Sequence, residues 1–538
     1  MKKQVFTALL VIILVVSMLP VTVFARPHRI GDMGFHGGIS EARHLPRTLE
    51  TIMLEQGVTN RNNRSGRNSA IRMAYSEYIF LGGTPVLYEG TMDIIPGIPS
   101  PFWTAPVPDD GNTAGTYRVE HHVPRQGARA PAQGEDTSEV SITRTSIFDV
   151  QYNIVDNQVI YTYVIDKTTW AERIVTAEGT FTLDPARSTF VISIHEDRTP
   201  AVSFYRGDIS ARLVYTREGA GDTIVVKDGE FYGFATAWSA TETHVTNVSV
   251  VNDNWALQYQ IRPSVSVNKI LQYVQNTPTI ISFEGNFREL HQSFAGLRYD
   301  IFVKPNSMWD VPDTGNHSME TFNVFEQLPA SDLSFLRGHP AEDDIHRLFA
   351  MQILQGDPRF YIPNQAITRG QFLTALARTI KLPVEEVVLP RARRGQQPVA
   401  LTLFSDVNSD RPEFRYIQAI QRAGIAFGRA DGKFYFDYPI SRQEAIVTTI
   451  RALGLTQLGL NPTVISPFAD SDDIAYWAIR DVNAALMLDI IAPDAEGNLH
   501  PRREISKGEA AALFNHLLEF MRNGIVRHYS EQMVNITQ

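Results

Sequence analysis

Ile367-Thr-Arg-Gly-Gln-Phe-Leu373, Ile440-Ser-Arg-Gln-Glu-Ala-Ile446 and Ile505-Ser-Lys-Gly-Glu-Ala-Ala511 are one phrase written three times. Each holds a β-branched apolar residue, a hydroxyl residue, a cation, one free position, then Gln or Glu. Ser or Thr followed three residues later by Glu or Gln is a capping box, in which side chain and backbone satisfy each other at a helix start. The phrase therefore predicts helices beginning after Thr368, Ser441 and Ser506. Apolar residues downstream share one helical face: Leu373, Leu376, Ala377 and Ile380 in the first copy, and Ile446, Val447, Ile450 and Leu453 in the second. Such repetition signals an array of small helical units.

Upstream of each phrase lies a second shared stretch. The middle copy reads Phe404-Ser-Asp-Val407, an amphipathic run over 416–423, Gly424-Ile-Ala-Phe-Gly428 and Asp431-Gly-Lys-Phe434. The last copy reads Phe468-Ala-Asp470, a run from Tyr476-Trp-Ala to Leu488, then Glu496-Gly-Asn-Leu499. The first is more divergent, with Gly338-His-Pro-Ala341, a run over 345–354, Gly356 and Arg359-Phe-Tyr361. Each unit is thus helix, turn, helix. In order and content these units resemble the S-layer homology (SLH) family, whose pattern runs Phe-x-Asp-Val, Trp-Ala, Gly-Ile-x-x-Gly, Asp-Gly-x-Phe and Ile-Thr-Arg-Ala-Glu. The resemblance covers three tandem units, residues 332–384, 401–458 and 464–522. It implies an all-α, pseudo-threefold module with grooves between units. In the family those grooves hold secondary cell-wall polysaccharide, commonly pyruvylated, and anchor exported proteins non-covalently to Gram-positive walls. It also allows self-association in a surface layer. The copies depart from the pattern. Pro340 stands where the first unit's Trp is expected, the second has none, and only the third keeps Trp477.

Arg369, Arg442 and Lys507 fall at the first helical position, where the helix dipole disfavours a cation. Free N–H groups beside a cation make a site for a carboxylate or phosphate, and Arg can add two parallel charged hydrogen bonds. Lys507 lacks that planar fork and offers less. The competing reading is an ion pair to a neighbouring acid such as Asp406 or Asp470. The candidate ligand set is therefore Arg369, Arg442, Lys507, Thr368, Ser441, Ser506, Asp406, Asp470 and Trp477, with an anionic wall polysaccharide as partner. The basic stretch Arg391-Ala-Arg-Arg394 is a second place where an anionic polymer could touch.

Working outward, the period changes from helical to two. Gln158-Val-Ile-Tyr-Thr-Tyr-Val-Ile165, Thr189-Phe-Val-Ile-Ser-Ile194, Thr223-Ile-Val-Val226 and Val245-Thr-Asn-Val-Ser-Val-Val251 alternate between turn signals. Many short strands without intervening helices predict an all-β antiparallel body, a sandwich or barrel-like, over residues 75–304. The Pro- and Gly-rich stretch 106–139 reads as a surface loop of that body, residues 305–331 as a linker, 26–74 as a weakly patterned N-terminal segment and 523–538 as a tail. The expected chain is multidomain, with body and helical module separable near residue 332. Residues 1–25 read as a signal peptide: Lys2 and Lys3, an apolar run, then Val23-Phe-Ala25 as a small-x-small cleavage site. Export to the cell wall and surface follows as the expected localisation.

The 538 residues carry a net charge of −10, which removes the driving force for nucleic-acid binding. Cysteine is absent, which excludes disulfide scaffolds, thiolate metal sites and thiol nucleophiles. The body holds no His-Glu-x-x-His, Gly-x-Ser-x-Gly or Walker loop. Glu120-His121-His122 is its densest histidine cluster, but adjacent strand residues face opposite ways. His28, His36 and His44 read as unstructured or surface residues. Residues 108–112 lack the ligand spacing of a calcium loop. No catalytic residue, metal or cofactor is predicted. Two functions remain: a β-rich structural or binding body anchored by the helical module, or a wall-anchored polysaccharide hydrolase with two carboxylates in the body.

Overall fold

A computed structural model describes residues 35–40, 71–97, 112–124, 140–155, 158–274, 286–303, 313–319, 324–382, 384, 404–459 and 467–525. The signal-peptide reading, Arg391 to Arg394, His28, His44 and the tail from 526 lie outside them.

The N-terminal part is one antiparallel sheet. Its early strands are β1 (Gly38–Ser40), β2 (Ile71–Ile79), β3 (Val86–Gly97), β4 (Asn112–Val123), β5 (Ser141–Val155) and β6 (Gln158–Ile165). Then come β7 (Ala171–Thr176), β8 (Gly179–Leu183), β9 (Thr189–Arg198), β10 (Ser203–Arg217) and β11 (Ala220–Ala235). The last are β12 (Ser239–Val251), β13 (Ala256–Val274), β14 (Asn286–Val303), β15 (Asp313–Met319) and β16 (Val324–Gln327). Sheet order follows the chain from β1 to β6, then β9 to β15. The β7–β8 hairpin bridges β5 and β10 by a second route, and β16 pairs with β14. The expected all-β body is present. Its strands are longer than the sequence segments suggested. Leu213-Val-Tyr-Thr216 is only the end of the 15-residue β10, in which inward residues are buried and Arg206, Asp208, Ser210 and Arg212 face out. A polar outward face makes one long strand read as several short ones.

The sheet curls so that its two ends share a core. Phe80 stacks on Tyr259 with ring centroids 3.8 Å apart, and Tyr78 packs edge-on against Tyr299 at 4.8 Å. Phe35, Tyr75, Phe148, Tyr163, Phe190 and Phe231 fill the interior. Three boundary expectations change. The stretch read as a loop contains β4, paired along its length with β5 from Asn112↔Val155 to Val123↔Arg144. The stretch read as a linker contains β15 and β16, both on β14. The weakly patterned N-terminal segment sends Phe35, His36 and Ile39 into the core and adds β1 to β2. Composition hid all three, because polar and small residues form strands where a neighbouring edge supplies the ladder.

His36 is therefore a core residue. Its Nε2 lies 3.3 Å from Nδ1 of His121, which is wholly buried, while His122 turns outward to Glu120 at 2.9 Å. Burial drives the His36 pKa well below its ordinary value and that of His121 to about 3, with nearby cationic groups adding to both shifts. Both are neutral in the fold and take up protons on unfolding, so their stabilising effect is full above about pH 6.5 and is lost as pH falls towards 3. Urea titrations from pH 7.5 to 4.5 should show the body weakening steadily. His121→Phe should flatten that slope; an unchanged slope refutes the assignment.

The C-terminal part holds α1 (Glu342–Ala350), α2 (Arg369–Thr379), α3 (Phe414–Arg422), α4 (Arg442–Leu453), α5 (Ile479–Met487) and α6 (Lys507–Glu519). Helices α2, α4 and α6 form the centre. At their amino ends the three phrases close a ring of backbone bonds: Ile367 N–H donates to Ile505 O at 3.0 Å, Ile505 to Ile440 at 3.1 Å, and Ile440 to Ile367 at 3.2 Å. Each outer helix packs on the central helix of the preceding unit, α3 on α2, α5 on α4, and α1 on α6 to close the circle. The β-branched residue opening each phrase is the hub of that ring.

The carboxyl ends of the same helices meet the body. The β9–β10 turn supplies Ala201 N–H to Ala452 O and Thr199 Oγ1 to Leu453 O, each at 2.8 Å. The β11–β12 turn supplies Trp238 Nε1 to Thr379 O at 2.8 Å and Ser239 Oγ to Met521 O. Ala201, Val202, Phe234 and Trp238 are buried with the helical core. The chain crossing near residue 332 is thus one of several links between the two parts.

Candidate functional site

The helix starts fold as the phrase predicts. Thr368 accepts from Gln371 N–H at 3.2 Å, and the Gln371 side chain returns the bond. Ser506 and Glu509 form the same reciprocal box. Ser441 accepts from Glu444 N–H at 3.4 Å, but the Glu444 carboxylate points elsewhere.

The first free amides of each helix are not open to an anion. Arg369 and Gly370 N–H donate to Tyr438 O and Phe436 O at 2.8 and 2.9 Å. Arg442 and Gln443 donate to Arg503 O and Pro501 O, and Lys507 and Gly508 to Gln365 O and Pro363 O. Each unit lends carbonyls to its neighbour's helix start. The backbone half of the expected anion site is therefore consumed by inter-unit packing, which a single sequence does not reveal.

The three cations have different surroundings. Arg369 is 6% exposed, donates to Phe434 O at 2.7 Å and Phe427 O at 3.0 Å, and pairs with Glu444 at 3.0 Å. Its guanidinium lies 4.6 Å from the Phe434 ring centre. Arg442 pairs with Glu509 at 3.2 Å, and Arg503 joins the same carboxylate. Burial lowers both arginine pKa values, and the partner carboxylates oppose that shift. Lys507 Nζ reaches Gln365 Oε1 at 2.7 Å and lies 5.5 Å from the Tyr361 ring centre. Its pKa falls through burial, with no carboxylate opposing. Among the described residues no acid is in ion-pair contact with it. The cyclic equivalent of Glu444 and Glu509 is Gln371, which is neutral. That difference stood in the quoted phrases and was the signal available for ranking the cations.

Asp406 and Asp470 do not pair with the cations. Asp406 accepts from Phe434 N–H at 2.7 Å and Tyr435 N–H at 2.6 Å; Asp470 accepts from Leu499 at 2.8 Å and His500 at 2.6 Å. Tyr435 and His500 have φ of +61° and +56°, so each aspartate clamps a strained turn. Trp477 is 52% exposed beside the more exposed Tyr476, and Ala475 N–H binds Gln443 Oε1, which sets both aromatics near the start of α4. Phe360, 78% exposed, adjoins Tyr361 beneath Lys507.

In the body, Arg144 lies buried between Glu77 at 2.7 Å and Glu172 at 2.5 Å. The space around them measures about 40 Å³, room for water but not for a sugar ring. A shallow recess of about 290 Å³ lies over β6, β9 and β10, edged by Ile160, His195, Asp197 and Arg206.

The S-layer homology domain family model matches residues 336–373, 403–446 and 467–511. The C-terminal region carries three S-layer homology domains. Similar proteins include an S-layer protein of Bacillus licheniformis, 27% identical over 32% of this chain and 18% of that protein. An endoglucanase of Bacillus sp. (strain KSM-635) is 24% identical over 32% and 17%. An amylopullulanase of Thermoanaerobacterium thermosulfurigenes is 30% identical over 37% and 10%. The chain thus spans less than a fifth of the length of these relatives. S-layer homology domains imply anchoring at the cell wall, and the chain is a secreted cell-surface protein. No helix among the described residues is long and apolar enough to cross a membrane.

Proposed function

We propose that the module holds this protein to the wall by gripping an anionic secondary wall polysaccharide, and that the groove headed by Lys507 contributes most. The carrying observation is charge: Arg369 and Arg442 face Glu444 and Glu509, whereas Lys507 reaches the neutral amide of Gln365, and Gln371 stands in sequence where the other two units carry Glu. An uncompensated, half-buried ammonium attracts a carboxylate most strongly. Exposed Phe360 offers an apolar face beside it, and a pyruvyl ketal on a sugar supplies both partners. The Arg442 groove is second, with Arg503 adding charge and Trp477 and Tyr476 adding aromatic surface. The groove at Arg369 has its cation committed to the fold.

On this reading the β body is displayed cargo with a structural or binding role. The carboxylates of Glu77 and Glu172 are tied to Arg144, which counts against their use in hydrolysis.

Wall retention tests the groove ranking. Lys507→Gln should weaken binding to purified walls about tenfold or more, the loss of one charged bond. Gln371→Glu should do the same by supplying the missing acid. Chemical removal of the secondary polymer should abolish retention. Unchanged retention in both variants sinks the Lys507 groove.

A further inference from the structure

The central helices of the module are used at both ends, and the two uses differ. The cations and the joints between units lie at the amino ends of α2, α4 and α6. The body's turns lie at the carboxyl ends of the same three helices. A helix leaves its last carbonyls without internal partners and carries partial negative charge there. Three helices ending together concentrate both needs in one place. The body answers each helix separately: Trp238 Nε1 on Thr379 O of α2, Thr199 Oγ1 and Ala201 N–H on Leu453 and Ala452 of α4, and Ser239 Oγ with Thr236 Oγ1 on Met521 O beyond α6. Lys381 and Arg522 bring cations to the same end, 4.3 and 5.2 Å from the Trp238 ring centre. Trp238 itself is 2% exposed. Gly454 closes α4 at φ +72°, and a side chain there would strike Thr199. A body on a loose tether would require none of these fits.

From this we infer that the module is a two-ended adaptor: it takes wall polymer at the amino ends of its central helices and holds the body rigidly on their carboxyl ends, facing away from the wall. The inference rests on the wall-binding reading above for its direction, not for the docking. The helices, 11, 12 and 13 residues long, separate the two ends by about 17–20 Å. Strand β10 leaves the seam at Ser203 and runs 15 residues, about 50 Å of extended chain, to the exposed Glu218–Gly219 turn. The exposed Asn364, next to Gln365 of the Lys507 groove, lies at the opposite end.

The absence of native cysteine allows a direct test on the full chain. Single-cysteine variants Glu218→Cys and Asn364→Cys are bound to purified walls and treated with a bulky maleimide. Labelling at 218 should match that of free protein, and labelling at 364 should slow at least several-fold. Protection at 218, or equal reactivity at 364 with and without walls, overturns the orientation. Docking is read without walls, by hydrogen exchange and calorimetry of the full chain. Wild type should melt in one transition with slow exchange through the last turns of α2, α4 and α6. Trp238→Ala should split the melt and speed exchange in those turns while wall retention persists. Two independent transitions in wild type overturn the docking. Failure of wild type to bind walls, with docking intact, removes the wall-binding reading and with it the outward direction.

Discussion

Arg144→Ala should destabilise the β body by about 3–5 kcal/mol, the cost of removing one partner from a buried ion cluster. Arg144 is 3% exposed, and its guanidinium is shared between Glu77 and Glu172, which are as buried as it is. Tyr75 completes the cluster by donating to Glu77 at 2.7 Å. The attraction within the cluster only offsets the cost of taking three charges from water. Deleting the cation leaves two carboxylates stranded among aromatic rings. The triple variant Arg144→Met, Glu77→Gln, Glu172→Gln should recover most of the loss, since it removes charge and need together. Urea midpoints at pH 7 check both statements. An Arg144→Ala deficit under 1 kcal/mol would show that water reaches the cluster.

The cluster also marks what a single sequence conceals. Period-two alternation exposed the β body, because half of each strand faces a core. Nothing in the local pattern of Glu77, Arg144 or Glu172 says that strands 67 and 28 residues apart bring them together. The same limit hid His36, which stands between Phe35 and two glycines and whose burial depends on β1 meeting β2. The module was far more legible. Its capping boxes are local, and three copies of one phrase carry the threefold arrangement. The ring of Ile367, Ile440 and Ile505 was implicit in the β-branched residue opening each phrase. The roles of the helix-start cations were legible only in the contrast of Gln371 with Glu444 and Glu509, because each cation's partners are a carbonyl or acid from the next unit. Asp406 and Asp470 are the acids the repeat offers, yet their carboxylates are spent on backbone amides of a later turn in their own units.

Arg369→Ala should reduce the stability of the module by about 3–5 kcal/mol, and any loss of wall retention should follow from unfolding. The helix-dipole argument alone expects the opposite, since a cation at a helix start contributes little to stability and is dispensable to the fold. The surroundings reverse that expectation. Arg369 makes two charged bonds to carbonyls of the next unit, each bond to a charged group contributing about 1.5–3 kcal/mol. It also neutralises Glu444 and covers the Phe434 ring. Truncation strands the acid and both carbonyls at the joint between units one and two. Lys507→Ala removes a half-buried ammonium bonded to one side-chain amide, and should cost the fold no more than about 1 kcal/mol. Thermal melts of the two variants, beside wall retention at a temperature where both remain folded, separate the roles. Arg369→Ala should melt early yet bind walls while folded; Lys507→Ala should melt near wild type and bind poorly. The reverse pattern would return Arg369 to the ligand set and remove Lys507 from it. A drop in both properties for both residues would mean that groove and joint are one structure, with wall polymer completing the packing between units.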